Sequence, residues 1–272
     1  MYINKLSLVI TTRCNLKCKL CCEYIPQHEP FPDMTVEEAD KIISAALRAF
    51  DRIRTLHLTG GGEPFLHPNL AEMTEAALKY SEKFEKLMLF TNSLTAIPDK
   101  LLHILKQSNK IVVQVSHYGV NPKREQEILD KLLKNGIKCK VEKYYGESQS
   151  FGGWVDFGEW KKYGRTPHEL ENIFQNCAAT RVMKGNWRTR DGKMHWCSRS
   201  QRGMELGLIP DNPDDYIDLL DDSESIELKR EKFERISKAQ SILACDYCSG
   251  HHGTSDASLR FPAAEQMKDE SK

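Results

Sequence analysis

Three cysteines near the N-terminus have the spacing of a metal-binding loop. Cys14, Cys18 and Cys21 form the pattern C-x3-C-x2-C directly after an apolar, strand-like run. Thiolates this close together can share one soft metal centre. On a cube of four irons, three thiolates leave one iron free to bind a small molecule and pass it an electron. A zinc knuckle fits less well, because zinc sites usually combine two ligand pairs into a closed shell of four.

Residues 11–22 resemble the cluster loop of the radical S-adenosylmethionine (radical SAM) enzymes. The resemblance implies a [4Fe-4S] cluster on the three cysteines, with SAM bound to the open iron. In this family SAM is cleaved to methionine and a 5′-deoxyadenosyl radical. The family usually has an aromatic residue before the third cysteine, whereas this chain has Leu20. That change bears on packing beside the cluster more than on ligation.

A second motif follows the second predicted strand. Gly61, Gly62 and Glu63 stand before a proline. Adjacent glycines let backbone groups approach a ligand closely, and an ionised carboxylate accepts hydrogen bonds from an ammonium group. Lying one strand–helix unit after the cysteines, the run is similar to the family's GGE motif, which implies that Glu63 holds the amino group of SAM. Asn92 and Ser116, at the ends of the next two strands, match SAM-contacting positions of relatives. Ordinary turn or helix-cap chemistry is the alternative for both.

Four more cysteines form a second group in the C-terminal half: Cys177, Cys197, Cys245 and Cys248. The pattern C-x14-G-x4-C followed by C-x2-C resembles the front of the SPASM domain, which carries auxiliary iron–sulfur clusters. No cysteine follows Cys248, so the segment resembles the truncated "twitch" form with one auxiliary cluster. Four thiolates suffice for one [4Fe-4S] cube. A zinc site of four cysteines is the alternative, as is replacement of one thiolate by His251 or His252. An Asp-Gly turn at residues 191–192 predicts a hairpin that carries Cys197 on its second strand.

Strand-like and helix-like segments alternate along the first half of the chain. Predicted strands cover residues 5–11, 55–59, 86–91, 110–116 and 137–144. Predicted helices begin at Thr35, near Asn69, at Pro98 and at Pro122, the first with a capping box completed by Glu38. This alternation predicts a parallel sheet with helical crossovers. The fold class is therefore α/β, an open partial (β/α) barrel of five to six strands.

The radical SAM core generally has six strands and six helices, but no sixth strand is evident in residues 146–163. A shortened core of this kind resembles that of 2-deoxy-scyllo-inosamine dehydrogenase and its relatives. We expect a radical SAM core at residues 1–150 and a small C-terminal twitch iron–sulfur domain at residues 151–261. The polar residues 262–272 are expected to form a flexible tail.

Alternation along the predicted strands indicates which side chains line the barrel. Helices must cover an apolar face, so the polar set of each strand should face the cavity. On that parity the cavity-facing residues are His57, Thr59, Gln114, Ser116, Lys140 and Glu142. The alternative for any one of them is a solvated position at the rim of the barrel.

Composition narrows the class of protein. The 272 residues carry 39 basic and 39 acidic side chains, so neither nucleic acid nor a membrane surface is expected as the main partner. The apolar runs are too short to cross a bilayer, and the first residues lack the pattern of a secretion signal. An odd number of cysteines, nine, clustered in short motifs favours reduced, metal-binding thiols and hence a cytoplasmic protein.

The resemblance leads to one preferred reaction and several alternatives. The preferred reaction oxidises a secondary alcohol of a sugar, cyclitol or nucleotide sugar to a ketone, with the auxiliary cluster accepting the second electron. The main alternative is epimerisation of such a sugar, with Cys22 or Cys139 returning a hydrogen atom; Cys139 shares a strand face with apolar residues, which indicates a core position. Modification of a ribosomally made peptide is a third possibility, and a non-enzymatic metal scaffold a fourth. The enzymatic readings require SAM, two [4Fe-4S] clusters and an external electron donor of the flavodoxin or ferredoxin type.

Overall fold

The computed structural model describes residues 1–250 and 257–268. Within them, a single mixed sheet has the strand order β5-β4-β3-β2-β1-β6-β7-β8. Strands β1 to β6 pair in parallel, whereas β7 and β8 are antiparallel to their neighbours. The strands are β1 Tyr2–Val9, β2 Arg52–Thr59, β3 Phe84–Thr91, β4 Ile111–His117, β5 Cys139–Lys143, β6 Trp187–Thr189, β7 Lys193–His195 and β8 Tyr216–Asp218.

The first four helices connect the first five strands, as the sequence predicts, and the other helices of the described residues follow β5. The helices are α1 Val36–Ala49, α2 Leu70–Leu78, α3 Asp99–Leu105, α4 Pro122–Lys134, α5 Pro167–Asn176, α6 Ala178–Arg181, α7 Ser198–Glu205 and α8 Ile226–Ser237. The capping box at the start of α1 is confirmed, because Thr35 accepts from the backbone of Glu38 and the Glu38 carboxylate accepts from the backbone of Thr35. None of the helices in the described ranges is long and apolar enough to cross a membrane.

Side chains alternate across the parallel strands between a helix-covered core and a polar concave face. On β4, Val113 and Val115 are fully buried in the core, while Gln114 on the opposite face donates to the Glu142 carboxylate at 3.0 Å. The Lys140 ammonium contacts the same carboxylate at 2.6 Å. Val141 departs from the pattern, being 46% exposed, because β5 is the edge strand.

The sixth parallel strand is the first strand of the predicted hairpin, a role that the sequence does not assign to it. It is β6, which pairs with β1 rather than with β5 and so extends the opposite edge of the core sheet. Trp187 anchors it, stacking on Phe233 with ring centroids 4.9 Å apart and meeting Trp196 edge-on at 5.1 Å. Three residues are too few to show alternation, so the strand is fixed by this long-range packing.

The predicted hairpin is present, but Cys197 is not on its second strand. Strands β6 and β7 pair antiparallel around the Asp-Gly turn. The second strand ends at His195, and Cys197 is the N-cap residue that precedes α7. The correction follows from the shortness of the hairpin, since extended pairing stops before the cysteine.

Residues 262–272 are expected from their polarity to form a flexible tail. Residues 269–272 lie outside the described residues, whereas the C-terminal segment, residues 261–267, packs against the rest of the protein, including the cysteine loop. Phe261 and Trp154 exchange two backbone hydrogen bonds of 2.8 and 2.9 Å. Farther along, Gln266 pairs with Cys18 as an antiparallel bridge. A polar segment is held here by main-chain hydrogen bonds, which composition does not reveal.

Candidate active site

The first cysteine loop, residues 11–22, leaves the carboxyl end of β1 and lies directly against the glycine loop that follows β2. The backbone N–H groups of Gly61 and Gly62 donate to the Thr11 carbonyl at 2.9 and 3.2 Å, and that of Glu63 donates to the Arg13 carbonyl at 2.8 Å. A Cβ at Gly62 would lie 1.9 Å from the Arg13 carbonyl oxygen. Only glycine therefore permits this approach, which joins two of the predicted motifs at the carboxyl edge of the sheet.

The three thiols of this loop face one another in a largely buried setting. Burial raises the pKa of Cys14 to about 11 and of Cys18 to about 12, and the neighbouring thiols add to both shifts. Burial likewise raises the pKa of Cys21. Such thiols are protonated at neutral pH, and binding of a metal would displace their protons, as it does for cysteine metal ligands. Three soft donors with the C-x3-C-x2-C spacing fit a cluster that keeps one iron open, and Cys22, the fourth cysteine of the loop, lies outside that spacing.

Glu63 is 2% exposed and connects the glycine loop to the end of β3. One carboxylate oxygen accepts from the Phe65 backbone at 3.0 Å, and the other accepts from the Asn92 backbone at 2.6 Å. Burial raises the pKa of Glu63 to about 7, although these backbone donors oppose the shift. The carboxyl is thus poised between its two forms near neutral pH, and a cation that approached it would favour ionisation.

The two other predicted SAM contacts lie at the same edge of the sheet. Asn92 donates from its side chain to the Asn15 side chain at 2.7 Å, which joins the end of β3 to the cysteine loop. Ser116 is buried near the end of β4, and its carbonyl accepts from Ser93 at 3.2 Å. The structure therefore brings the GGE run, Asn92 and Ser116 together around the first cysteine loop.

The second cysteine group surrounds one small apolar cavity. The cavity is lined by all four thiols, together with the aromatic rings of Phe174 and Trp196. Burial raises the pKa of Cys197 to about 12, and the thiols of Cys177 and Cys248 add to the shift. Four sulfur donors around one dry cavity fit a closed metal centre. No three Cys, His, Asp or Glu side chains in residues 1–250 and 257–268 have the spacing needed to hold a single metal ion. His251 and His252 lie outside the described residues.

A buried arginine, not singled out by the sequence, lies between the two cysteine groups. Arg199, which is 4% exposed, places its guanidinium 3.5 Å from the centre of the Trp160 ring. It donates to the Tyr247 carbonyl at 2.8 Å and to the Tyr24 hydroxyl. Its charge favours the thiolate form of Cys248, since it lowers a pKa that burial raises. The side chain thus sets a permanent positive charge beside the second cysteine group.

A second buried cation fixes the first cysteine loop to β6. The Arg188 guanidinium donates to both oxygens of the Glu23 carboxylate, at 2.6 and 2.9 Å, and to the Gln201 side chain at 2.6 Å. Arg202 on α7 donates to the Glu23 carbonyl at 3.1 Å. A sequence separation of 165 residues between Arg188 and Glu23 leaves no local signal from which the pair could be predicted.

The two remaining cysteines occupy different surroundings. Cys22 is an exposed residue, yet burial of its thiol raises the pKa well above the usual range. The Glu23 carboxylate adds to this shift, and the Arg188 guanidinium opposes it. Negative charge on the Cys22 thiol would raise the pKa of the Tyr118 and Tyr144 hydroxyls, so the thiol lies near both. The two tyrosine rings stack with centroids 5.1 Å apart. Cys139 instead packs against the helix-covered core, and its thiol contacts the Ile137 carbonyl.

The concave face below these loops carries a buried histidine. His57 contacts the Ser7 hydroxyl through Nδ1 at 3.1 Å and meets Phe90 edge-on at 5.0 Å. Its Nε2 has no hydrogen-bond partner in the described parts of the chain. Burial lowers the pKa of His57 to about 3, so the ring is neutral at physiological pH. Thr59, the other predicted cavity residue of β2, contacts the Gly60 carbonyl at 3.4 Å.

A larger cavity opens beside the third cysteine. It has a volume of about 410 Å³ and is lined by Cys21 and Tyr24 on one side and by residues 155–163 on the other. Its size is within the range of small-molecule sites, and charged side chains of both signs line it, including Lys19, Asp156 and Lys161.

Comparisons with known proteins agree with this arrangement. A family model described as the Radical SAM superfamily matches residues 8–144. The GTP 3′,8-cyclase of Aquifex aeolicus (strain VF5) is 28% identical over 142 residues, covering 50% of this chain and 42% of the cyclase. The antilisterial bacteriocin subtilosin biosynthesis protein AlbA of Bacillus subtilis (strain 168) is 36% identical over 115 residues, covering 41% of this chain and 23% of AlbA. The chain therefore spans less than half the length of these curated relatives.

A solved structure matches almost the whole fold. The crystal structure of BtrN in complex with AdoMet and 2-DOIA superposes with a TM-score of 0.57 at 14% identity, over 97% of this chain and 98% of BtrN. At this level of identity the match concerns the fold, and it includes the region from β6 onward that the family model leaves out.

Proposed function

Because this chain belongs to the radical SAM superfamily and therefore binds SAM and a [4Fe-4S] cluster, we propose that it oxidises a secondary alcohol of a carbohydrate-like substrate to a ketone. Cys14, Cys18 and Cys21 hold the cluster in this proposal. Glu63 and its neighbouring glycines, with Asn92 and Ser116, hold SAM. The adjacency of these groups at one edge of the sheet supports both assignments.

With SAM and the cluster bound, the site would supply a 5′-deoxyadenosyl radical able to take a hydrogen atom from the substrate carbon. The hydroxyl would then lose a proton, and one electron would have to leave. The departing electron requires an acceptor. The single observation that carries the proposal is the complete second group of four thiols around one cavity, with the Arg199 cation beside it. We assign this group to an auxiliary [4Fe-4S] cluster in a twitch-type region at residues 151–261, which follows a core at residues 1–150.

The residues of the chain then have distinct tasks. Arg199 favours the reduced auxiliary cluster, since a fixed positive charge stabilises added negative charge. The Glu23–Arg188 pair holds the first loop against β6 and so fixes the spacing between the two cysteine groups. The 410 Å³ cavity beside Cys21 has room for a sugar or cyclitol, and its mixed charges suit a polyhydroxylated molecule with an amino or phosphate group. An external donor of the flavodoxin or ferredoxin type supplies the first electron.

Epimerisation is the second candidate, favoured by the placement of Cys22. The residue is exposed and its thiol lies near Tyr118 and Tyr144, where it could return a hydrogen atom to a substrate radical. Cys139 packs against the core and is less suited to that role. Peptide modification is a weaker candidate, resting on the partial similarity to AlbA.

Product mass distinguishes the two leading reactions. Reduced, reconstituted enzyme is incubated in D2O with SAM and a panel of sugars, cyclitols and nucleotide sugars, and products are identified by mass spectrometry. Oxidation gives a ketone lighter than the substrate by two hydrogens, in an amount equal to the deoxyadenosine formed, and Cys22→Ala retains this turnover. Cys139→Ala is the matched control, because that thiol faces the core. A product of substrate composition that carries solvent deuterium and disappears in Cys22→Ala would show an epimerase instead.

A further inference from the structure

We propose that Gln266 is a positioning residue that makes the radical-generating cluster easier to reduce, through a hydrogen bond from its side-chain amide to the Cys18 sulfur. The proposal rests on the proposed ligation of that cluster by Cys18. The observation that carries it is the docking of the C-terminal segment, residues 261–267, on the first cysteine loop.

The segment is held by main-chain hydrogen bonds on both sides of Gln266. The Lys19 backbone donates to the Glu265 carbonyl at 2.7 Å, and the Met267 backbone donates to the Lys17 carbonyl at 2.7 Å. Ala264, which is buried, packs with the apolar side of the loop. The segment therefore forms a short antiparallel pair with the very residues that flank Cys18, and it fixes the backbone of Gln266.

The orientation of the Gln266 amide follows from its two backbone partners. Its oxygen accepts from the Lys17 N–H at 2.8 Å, and its nitrogen donates to the Ala264 carbonyl at 2.7 Å. An N–H can only donate and a carbonyl can only accept, so exchanging the amide oxygen and nitrogen would break both bonds. The second proton of the amide nitrogen is thus available to the Cys18 sulfur, which lies 3.5 Å away.

A hydrogen bond to a ligating sulfur changes the energy of the two redox states by different amounts. The reduced cluster carries one more negative charge, and part of that charge resides on its thiolates. An N–H dipole directed at the sulfur stabilises the reduced state more than the oxidised state, and hydrogen bonds to sulfur are among the factors that set cluster potentials. Cys18 is 7% exposed, so bulk water offers it few competing donors.

The test measures the reduction potential of the first cluster by anaerobic titration followed by electron paramagnetic resonance, without substrate. The signal that changes on adding SAM identifies this cluster. Gln266→Leu should lower the equilibrium constant for reduction by about twofold to tenfold, and a tenfold change corresponds to about 59 mV. Gln266→Glu should lower it further, because the Glu oxygen can still accept from Lys17 while its charge repels the sulfur.

Glu265→Gln is the matched control. Glu265 belongs to the same segment, but its side chain only meets the exposed Lys19 ammonium at 3.5 Å, so the potential should stay at the wild-type value. An unchanged potential in Gln266→Leu, or an equal shift in Glu265→Gln, would overturn the proposal. If Gln266→Leu fails to hold iron, Gln266→Glu decides the question, and an unchanged potential there overturns the proposal as well. These measurements of potential do not test the substrate reaction. A SAM-responsive signal that survives replacement of all three loop cysteines would instead refute the proposed ligation of the cluster.

Discussion

Replacing Glu63 with glutamine should weaken SAM binding and remove its pH dependence. The carboxylate of Glu63 lies between two backbone N–H donors, those of Phe65 and Asn92, and no cation among the described residues contributes to its pKa. Burial raises its pKa from 4.5 to about 7. In the SAM-free protein the group is therefore largely protonated at pH 6 and largely ionised at pH 7.5, and only the ionised form attracts the amino group of SAM.

Two magnitudes follow from this pKa. Between pH 6 and pH 7.5 the ionised fraction of Glu63 rises roughly eightfold, so SAM affinity should rise by a similar factor. The α-amino group of SAM, whose ordinary pKa is about 8, stays mainly protonated over this range. At pH 7.5 the loss of a charge-assisted hydrogen bond, worth about 1.5–3 kcal/mol, should weaken binding by Glu63→Gln about tenfold to a hundredfold.

The raised pKa also has a consequence for stability, with a definite sign. The folded protein binds the Glu63 proton more tightly than the unfolded chain does, so this residue contributes stability below pH 4.5 that is lost as pH rises through about 7. The loss is on the order of 3 kcal/mol. It should be absent from Glu63→Gln, whose free energy of unfolding should fall less than that of the wild type over the same range.

The assay is anaerobic equilibrium binding of SAM to reconstituted protein at pH 6.0 and pH 7.5, with iron content measured in parallel. Glu72→Gln is the matched control, since that carboxylate lies on the outer side of α2 and pairs with Lys100. It should bind SAM as the wild type does at both pH values. Wild-type affinity for SAM in Glu63→Gln, or a pH response that persists in this variant, would refute the reasoning. Glu63 would then have only a structural role, capping the turn that follows it.

Three further predictions concern the clusters and the buried cations. Reconstituted wild-type protein should contain about eight irons, and alanine at all three cysteines of the first loop should leave about four with the auxiliary spectrum intact; a protein that takes up zinc and no iron would contradict this. Arg199→Gln should make the auxiliary cluster harder to reduce, as measured by redox titration, whereas Arg199→Lys, which keeps the charge, should restore most of the potential; equal shifts in both would show a packing effect alone. Glu23→Gln should lower the free energy of unfolding by about 3–5 kcal/mol because it leaves Arg188 buried without its counter-charge, while Glu85→Gln, in an exposed pair, should cost less than about 1 kcal/mol in the same denaturant titration.

The parts of the fold that could be predicted from the sequence are those specified locally. The first five strands and the four helices between them show period-two alternation, capping residues and turn signals, and the structure has each of them. The GGE run and the first cysteine loop could be related to each other because parallel strands bring their carboxyl ends to one edge. The two loops do meet at that edge, where Gly62 lies against the Arg13 carbonyl.

What could not be predicted depends on pairs that are distant along the chain. The Asp-Gly turn predicts β6 as a hairpin strand, but its parallel pairing with Leu6 and Leu8 of β1 has no local signal. Nothing local distinguishes Arg188 from the other arginines, because its partner Glu23 is separated from it by 165 positions along the chain. Gln266 lies in a polar run typical of a free tail, and its docking depends on main-chain bonds to the cysteine loop.

These distant pairs also determine how the two cysteine groups are related. Strand β6 places Arg188 beside β1, where it receives Glu23 from the first cysteine loop. The same hairpin is followed by Cys197 and α7. Two arginines of α7 bind residues next to the first cysteine loop: Arg199 donates to the Tyr24 hydroxyl, and Arg202 donates to the Glu23 carbonyl. Both arginine side chains are buried and hydrogen-bonded. A shift of either cysteine group would therefore leave a buried guanidinium unpaired, at a cost of several kcal/mol. These bonds fix the position of the second cysteine group relative to the first, as the proposed acceptance of a substrate electron by the second group requires.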